Sequence, residues 1–93
     1  MPRKILVHSR FERAYSYLKE WDKERVDKAI EQLVHHLDVS QSPFGLGVKH
    51  LEGDLYEFRV GLSIRIVYIL QKNSILLSLI GTHDEVRKFL KRQ

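Results

Sequence analysis

The sequence has no cysteine, only two prolines, and no apolar run long enough to cross a bilayer. Without cysteine there can be no disulfide framework and no thiolate metal site, and a reducing compartment suits the chain. With so little proline and 43% apolar residues, the composition is that of a globular domain and not of a disordered one. No signal-peptide pattern opens the chain, since Met1-Pro2-Arg3-Lys4 is followed by only three apolar residues, Ile5 to Val7. The expectation is a soluble, cytoplasmic protein. Metal-site spacings are also missing: HExxH and CxxC do not occur, and His35 and His36 are adjacent instead of one helical turn apart. Gly45-Leu46-Gly47 lacks the strand-turn-helix setting of a phosphate loop. Neither a metal nor a small-molecule cofactor is expected.

Ninety-three residues bound one domain, 1–93, with a modest core. The formal charge is +4, unevenly spread: residues 1–47 hold 8 basic and 7 acidic side chains, and residues 48–93 hold 8 and 5. An anionic partner is therefore sought in the second half.

Lys4 to His8 reads as a short strand. Ser9 with Glu12 has capping-box spacing, and Phe11, Ala14, Tyr15 and Leu18 recur at helical intervals, giving a helix over about residues 10–20. Asp22 is the next N-cap candidate, with Trp21 and Val26 placed for a hydrophobic staple. Val26, Ala29, Ile30, Leu33, Val34 and Leu37 form an apolar stripe that carries a second helix to about Leu37. Residues 38–47 (DVSQSPFGLG) have loop composition. From Val48 the period becomes two. Lys49 to Gly53 is a short strand leading into a hairpin of Leu55–Val60 and Ser63–Leu70, and Ile75–Ile80 is a further apolar strand. Thr82 and Glu85 form a second capping box, opening a helix with Val86, Phe89 and Leu90 inward. The order β-α-α-β-β-β-α describes an α+β domain, a helical hairpin packed on a small, mainly antiparallel sheet.

The hairpin link decides which side chains meet. A two-residue turn at Gly61-Leu62 would set Arg65 opposite Phe58 on the aromatic face, burying a guanidinium. A three-residue loop pairs Phe58 with Ile66, Tyr56 with Tyr68, and Arg59 with Arg65, and keeps every face consistent. It also opposes two like charges, which destabilises the ladder unless something compensates. Either Glu57 joins them in a solvated Arg–Glu–Arg cluster, or the pair is held for a phosphate, which guanidinium forks bind well.

Other candidates carry a bland reading beside a functional one. Lys49 and His50 point to opposite faces of their strand, so at most one joins the arginines; charges on an edge strand also serve against aggregation. His8, His35 and His36 are assigned no role. His83 stands in the first turn of the last helix, where a phosphate would satisfy free N–H groups and favour a charged ring; otherwise it is a surface histidine.

Residues 48–68 (VKHLEGDLYEFRVGLSIRIVY) followed by residues 80–83 (IGTH) resemble the RelE/ParE superfamily of bacterial toxins in order, spacing and chain length. The resemblance spans nearly the whole chain, and the Gly-Thr-His form is most similar to the YafQ-type branch. It implies a twisted sheet packed on a helical hairpin, similar to microbial ribonucleases. It implies a toxin neutralised by a cognate antitoxin, acting as an endoribonuclease that cuts mRNA on the ribosome without a metal. By the same resemblance Lys49, Arg65 and His83 are catalytic, and Arg59, His50 and Arg87 bind RNA or its phosphates. Arg87 stands near where many of these nucleases have a stacking aromatic. The alternatives are a ParE-like inhibitor of DNA gyrase and a non-toxic relative that only binds its antitoxin.

Overall fold

The computed structural model describes residues 3–40 and 47–92. The chain runs β1 (Lys4–Val7), α1 (Ser9–Ser16), α2 (Glu20–Ser40), β2 (Lys49–Glu52), β3 (Leu55–Val60), β4 (Ile64–Leu70), β5 (Ser74–Gly81) and α3 (His83–Lys91). The five strands form one sheet in the order β1-β5-β4-β3-β2, with β1 parallel to β5 and every other pair antiparallel. This is the expected α+β class, with the short strand expected from Lys49 taking its own place in the order as β2. The segment from Lys49 is a separate strand because Gly53, at φ 53°, turns the chain back before Leu55. A bulge between His50 and Glu52 adds an irregularity that alternation alone does not show.

Two apolar clusters lie on opposite faces of the sheet. The larger joins Phe11 of α1 and Val26, Leu33 and Leu37 of α2 to Phe58, Val60, Ile66, Tyr68, Ile75, Leu77 and Ile80. The helical hairpin therefore covers that face, as the stripe on α2 requires. Tyr15 ties the hairpin together by donating to Asp27 Oδ1 at 2.8 Å, a bond that raises the phenol's pKa. On the other face Leu55, Val67 and Val86 form a smaller cluster, with Leu51, Ile69, Leu79, Phe89 and Leu90 packed around it. The inward residues expected for α3 are those observed.

Helix boundaries moved where capping differed from the expected pattern. The N-cap of α1 is His8, whose Nδ1 accepts from the Arg10 N–H at 3.1 Å, so Ser9 is already helical. The helix ends at Ser16 and not near residue 20, with the Tyr17 N–H turned back onto the carbonyls of Ala14 and Tyr15. α2 begins at Glu20, two residues before the expected cap at Asp22. Trp21 therefore lies inside the helix and is 67% exposed instead of forming a staple. α2 runs on to Ser40, through the start of the expected loop; the rest of that loop, 41–46, lies outside the described residues. Thr82 caps α3 through the expected box: its hydroxyl accepts from Glu85 N at 3.3 Å, and Glu85 Oε1 accepts from Thr82 N at 2.9 Å.

The β3–β4 register is the one the three-residue loop requires: Tyr56 faces Tyr68, Phe58 faces Ile66, and Arg59 faces Arg65. Gly61 takes φ 68° in that loop, and the Arg25 guanidinium lies so close that a Cβ at Gly61 would meet Nη2 at 1.8 Å. The backbone conformation is what calls for glycine here, since the exposed Arg25 side chain can move aside.

Candidate active site

Strand pairing decides which candidate side chains meet, because directly opposed residues share a face. Lys49 opposes Glu57, which opposes Val67. One two-residue step along, Arg59 opposes Arg65, which opposes Gly81. Both rows lie on the face covered by α3. With strands ~4.8 Å apart, Lys49, Arg59 and Arg65 stand within roughly 10–12 Å of one another at the backbone. His83 follows Gly81 by two residues, so the first turn of α3 adjoins the Arg59–Arg65 row. Arg87 is one helical turn beyond His83 on the same side of α3, and both are exposed.

His50 is not brought to this strip. It opposes Tyr56, on the face of the helical hairpin, where its ring lies 5.0 Å from the Tyr56 ring. Tyr56 stacks in turn on Tyr68 at 5.6 Å, so an aromatic row crosses three strands. The His50 Nε2 lies 2.8 Å from the Gly53 carbonyl oxygen and, as a donor, pins the β2–β3 turn.

The two opposed arginines have different surroundings. Arg65 Nη1 donates to Glu57 Oε2 at 3.1 Å, and Glu57 is only 5% exposed. This ion pair is sheltered, not part of a solvated three-residue cluster. The reason is α3, whose Val86, Phe89 and Leu90 cover that face and exclude water. Arg59 and Lys49 are exposed and make no ion pair among the described residues. Nε and Nη2 of Arg65 likewise have no acceptor among the described residues. The strip thus consists of one guanidinium fixed from below by a buried carboxylate, two exposed cations, and an exposed imidazole. It can hold an anion between cations from three elements and offer it a titratable ring.

The strip is open. The neighbouring cavity, about 330 Å³, lies between Tyr17 and Leu18 just after α1, the β3–β4 loop and the start of α3, and meets the strip only at Gly81 and Thr82.

No protein-family model and no curated protein sequence matches this chain. Solved structures do. RelE in the archaeal RelE–RelB complex from Pyrococcus horikoshii is similar over 88% of this chain and 96% of that one, with a TM-score of 0.70 and 23% identity. The YoeB dimer from Staphylococcus aureus is similar over 89% and 99%, with a TM-score of 0.71 and 21% identity. This chain has the RelE-type fold. The E. coli DinJ–YafQ toxin–antitoxin complex is a third such neighbour, covering 92% of this chain and 98% of that one at a TM-score of 0.64 and 15% identity.

Two residues that shape this site were not visible in the sequence. Glu57 reads as a surface residue by alternation, and only the docking of α3 makes it buried. Arg10 reads as a solvated helix residue, yet it reaches 68 positions along the chain to Ser78. Ser78 is the extra residue of a β5 bulge, lying between Leu77, which faces Tyr68, and Leu79, which faces Val67. β1 stops at Val7, paired with Leu77, so the β5 edge beyond it lacks a neighbouring strand. Arg10 closes that edge: Nε donates to the Ser78 carbonyl at 2.9 Å and Nη2 to its hydroxyl at 2.8 Å. Its guanidinium then lies over the Phe89 ring of α3, 4.7 Å from the centroid. No local signal could have revealed such a contact; the nearest hint is an unpaired Ser within an otherwise apolar strand.

Proposed function

We propose that the protein is the toxin of a toxin–antitoxin pair and acts as a ribosome-dependent, metal-independent mRNA endonuclease. The observation that carries this reading is the strip itself: Arg59, Arg65 and Lys49 converge on one face of the sheet, beside His83 at the start of α3. The shared fold with RelE, YoeB and YafQ supports it, as does the fact that several of those proteins occur in complexes with antitoxins. An open strip also suits a polymer presented by a larger partner better than a small molecule that must be enclosed.

Cleavage proceeds by attack of the ribose 2′-oxygen on the adjacent phosphorus. The P–O5′ bond breaks, leaving a 2′,3′-cyclic phosphate and a free 5′-hydroxyl. The 2′-OH proton leaves to a base, and the departing O5′ takes one from an acid. His83 is the general acid, exposed and within the first turn of α3. Arg65, immobilised by Glu57, and Arg59 stabilise the charge that develops on the phosphorane. Lys49 is the base or its electrostatic helper, because His50 faces the other way. Arg87 extends phosphate binding along α3. The protein acts in the cytoplasm, where an antitoxin neutralises it.

A cell-free translation extract tests the reading. Added protein should halt synthesis and leave mRNA cut at ribosome-occupied positions. Intact translation together with inhibition of DNA supercoiling by gyrase would contradict it.

A further inference from the structure

The other flank of α3 carries a second convergence of positive charge. A cavity of about 370 Å³ opens between α1, β5 and α3, lined by Arg10, Leu79, Glu85, Lys88, Phe89 and Arg92. Lys88 and Arg92 are one turn apart on the same side of the helix. Arg10 comes from α1, and its guanidinium is held by Ser78 and Phe89. Its Nη1 has no acceptor among the described residues, and neither Lys88 nor Arg92 forms an ion pair there. The one carboxylate in the lining, Glu85, already accepts from Thr82 N in the helix cap.

Basic residues late in a helix complement its dipole, which accounts for Lys88 and Arg92. It does not account for Arg10, which arrives from another element and faces the same space. Three cations against the single Glu85 carboxylate leave the groove net positive, which favours an anion there. A guanidinium fixed on two sides with a donor left free is suited to phosphate, and two flexible cations beside it suit a repeating anion.

We infer that this groove binds backbone phosphates of the RNA substrate, so that the strand crosses α3 with one stretch on the Arg59–Arg65–His83 strip and another between Arg10, Lys88 and Arg92. This extends the nuclease reading and rests on it for the identity of the strand. RNA is favoured over an acidic protein because the cations of α3 continue without interruption from Arg87, on the strip side, through Lys88 to Lys91 and Arg92. A polyanion with one charge per repeat can follow that row in any register, whereas acidic side chains must match it.

The test uses the full chain carrying His83→Ala, so that RNA stays intact, and a labelled unstructured single-stranded RNA titrated at several salt concentrations. Adding Lys88→Gln and Arg92→Gln should weaken binding and reduce the slope of log affinity against log salt by about 1.4, the loss of two phosphate contacts at ~0.7 each. Lys4→Gln with Lys72→Gln, at the opposite end of β5, should change neither. An unchanged slope and affinity in the Lys88/Arg92 variant would overturn the inference. If that variant keeps RNA binding but loses affinity for a glutamate-rich peptide, the groove belongs to an acidic partner and the inference is again overturned. Should RNA fail to bind any variant, the groove inference is overturned, while the nuclease reading stands or falls on cleavage at the ribosome. Normal RNA binding by the Lys88/Arg92 variant alongside His83-dependent cleavage in the parent chain would remove the groove alone.

Discussion

Arg59 and Arg65 look alike in the sequence and face each other across the same ladder, yet they should respond very differently to mutation. Removing Arg65 leaves the Glu57 carboxylate, 5% exposed, without its partner. Arg65→Ala should cost about 3–5 kcal/mol of stability in urea unfolding, the usual penalty for stranding a buried charge. Arg59→Ala, at an exposed position, should stay within about 0.5 kcal/mol. Adding Glu57→Gln to Arg65→Ala should recover much of the loss. Activity lost in Arg65→Ala is therefore interpretable only beside that double variant. Tyr68 gives a second residue-scale outcome. It is fully buried, and burial first, then the neighbouring Tyr56 phenol, raise its pKa above the ordinary 10.0. Above pH ~10 the unfolded chain releases this proton while the folded chain keeps it, so stability is complete below that pH and declines as pH rises further. Urea midpoints of the native chain should fall between about pH 9 and pH 11, and Tyr68→Phe should flatten the decline. Sequence alternation located both arginines and their pairing. It could not tell which was sheltered, because that depends on α3, a helix that follows the whole of β5.

At the scale of elements, the β3–β4 link was legible because only one register keeps Arg65 off the aromatic face. The αL conformation of Gly61 adds a backbone constraint there. Gly53 has positive φ but open space around its Cα, and so isolates the backbone term. Gly53→Ala should cost about 1–2 kcal/mol, from the left-handed conformation alone. Gly61→Ala should cost a similar amount, because the exposed Arg25 guanidinium can swing aside, and adding Arg25→Ala should change that cost little, as a thermal-unfolding cycle would measure. Helix ends were less legible. Capping-box spacing was right at Thr82, where the chain leaves a strand for a helix directly. It was wrong at Ser9, because a histidine one residue earlier supplies the acceptor instead. The contact from Arg10 to the β5 bulge was invisible, since a bulge in a continuous apolar strand changes no local pattern.

Across the whole molecule, one sheet separates two tasks. The hairpin side supplies most of the core, and Leu33→Ala, at a fully buried position of α2, should cost about 2–5 kcal/mol without touching the strip. The α3 side supplies the charge and the imidazole, and its smaller cluster fixes the helix that carries His83. Arg65, paired with buried Glu57, belongs to both tasks, whereas exposed His83 does not, and that makes the central claim separable from stability. The most direct measurement is cleavage of mRNA on purified programmed ribosomes by the native chain and by His83→Ala, compared at equal folded concentration by primer extension. Loss of a general acid should lower the cleavage rate by about 10²–10⁴-fold while the unfolding transition stays in place. Cleavage by His83→Ala at the native rate would contradict the account.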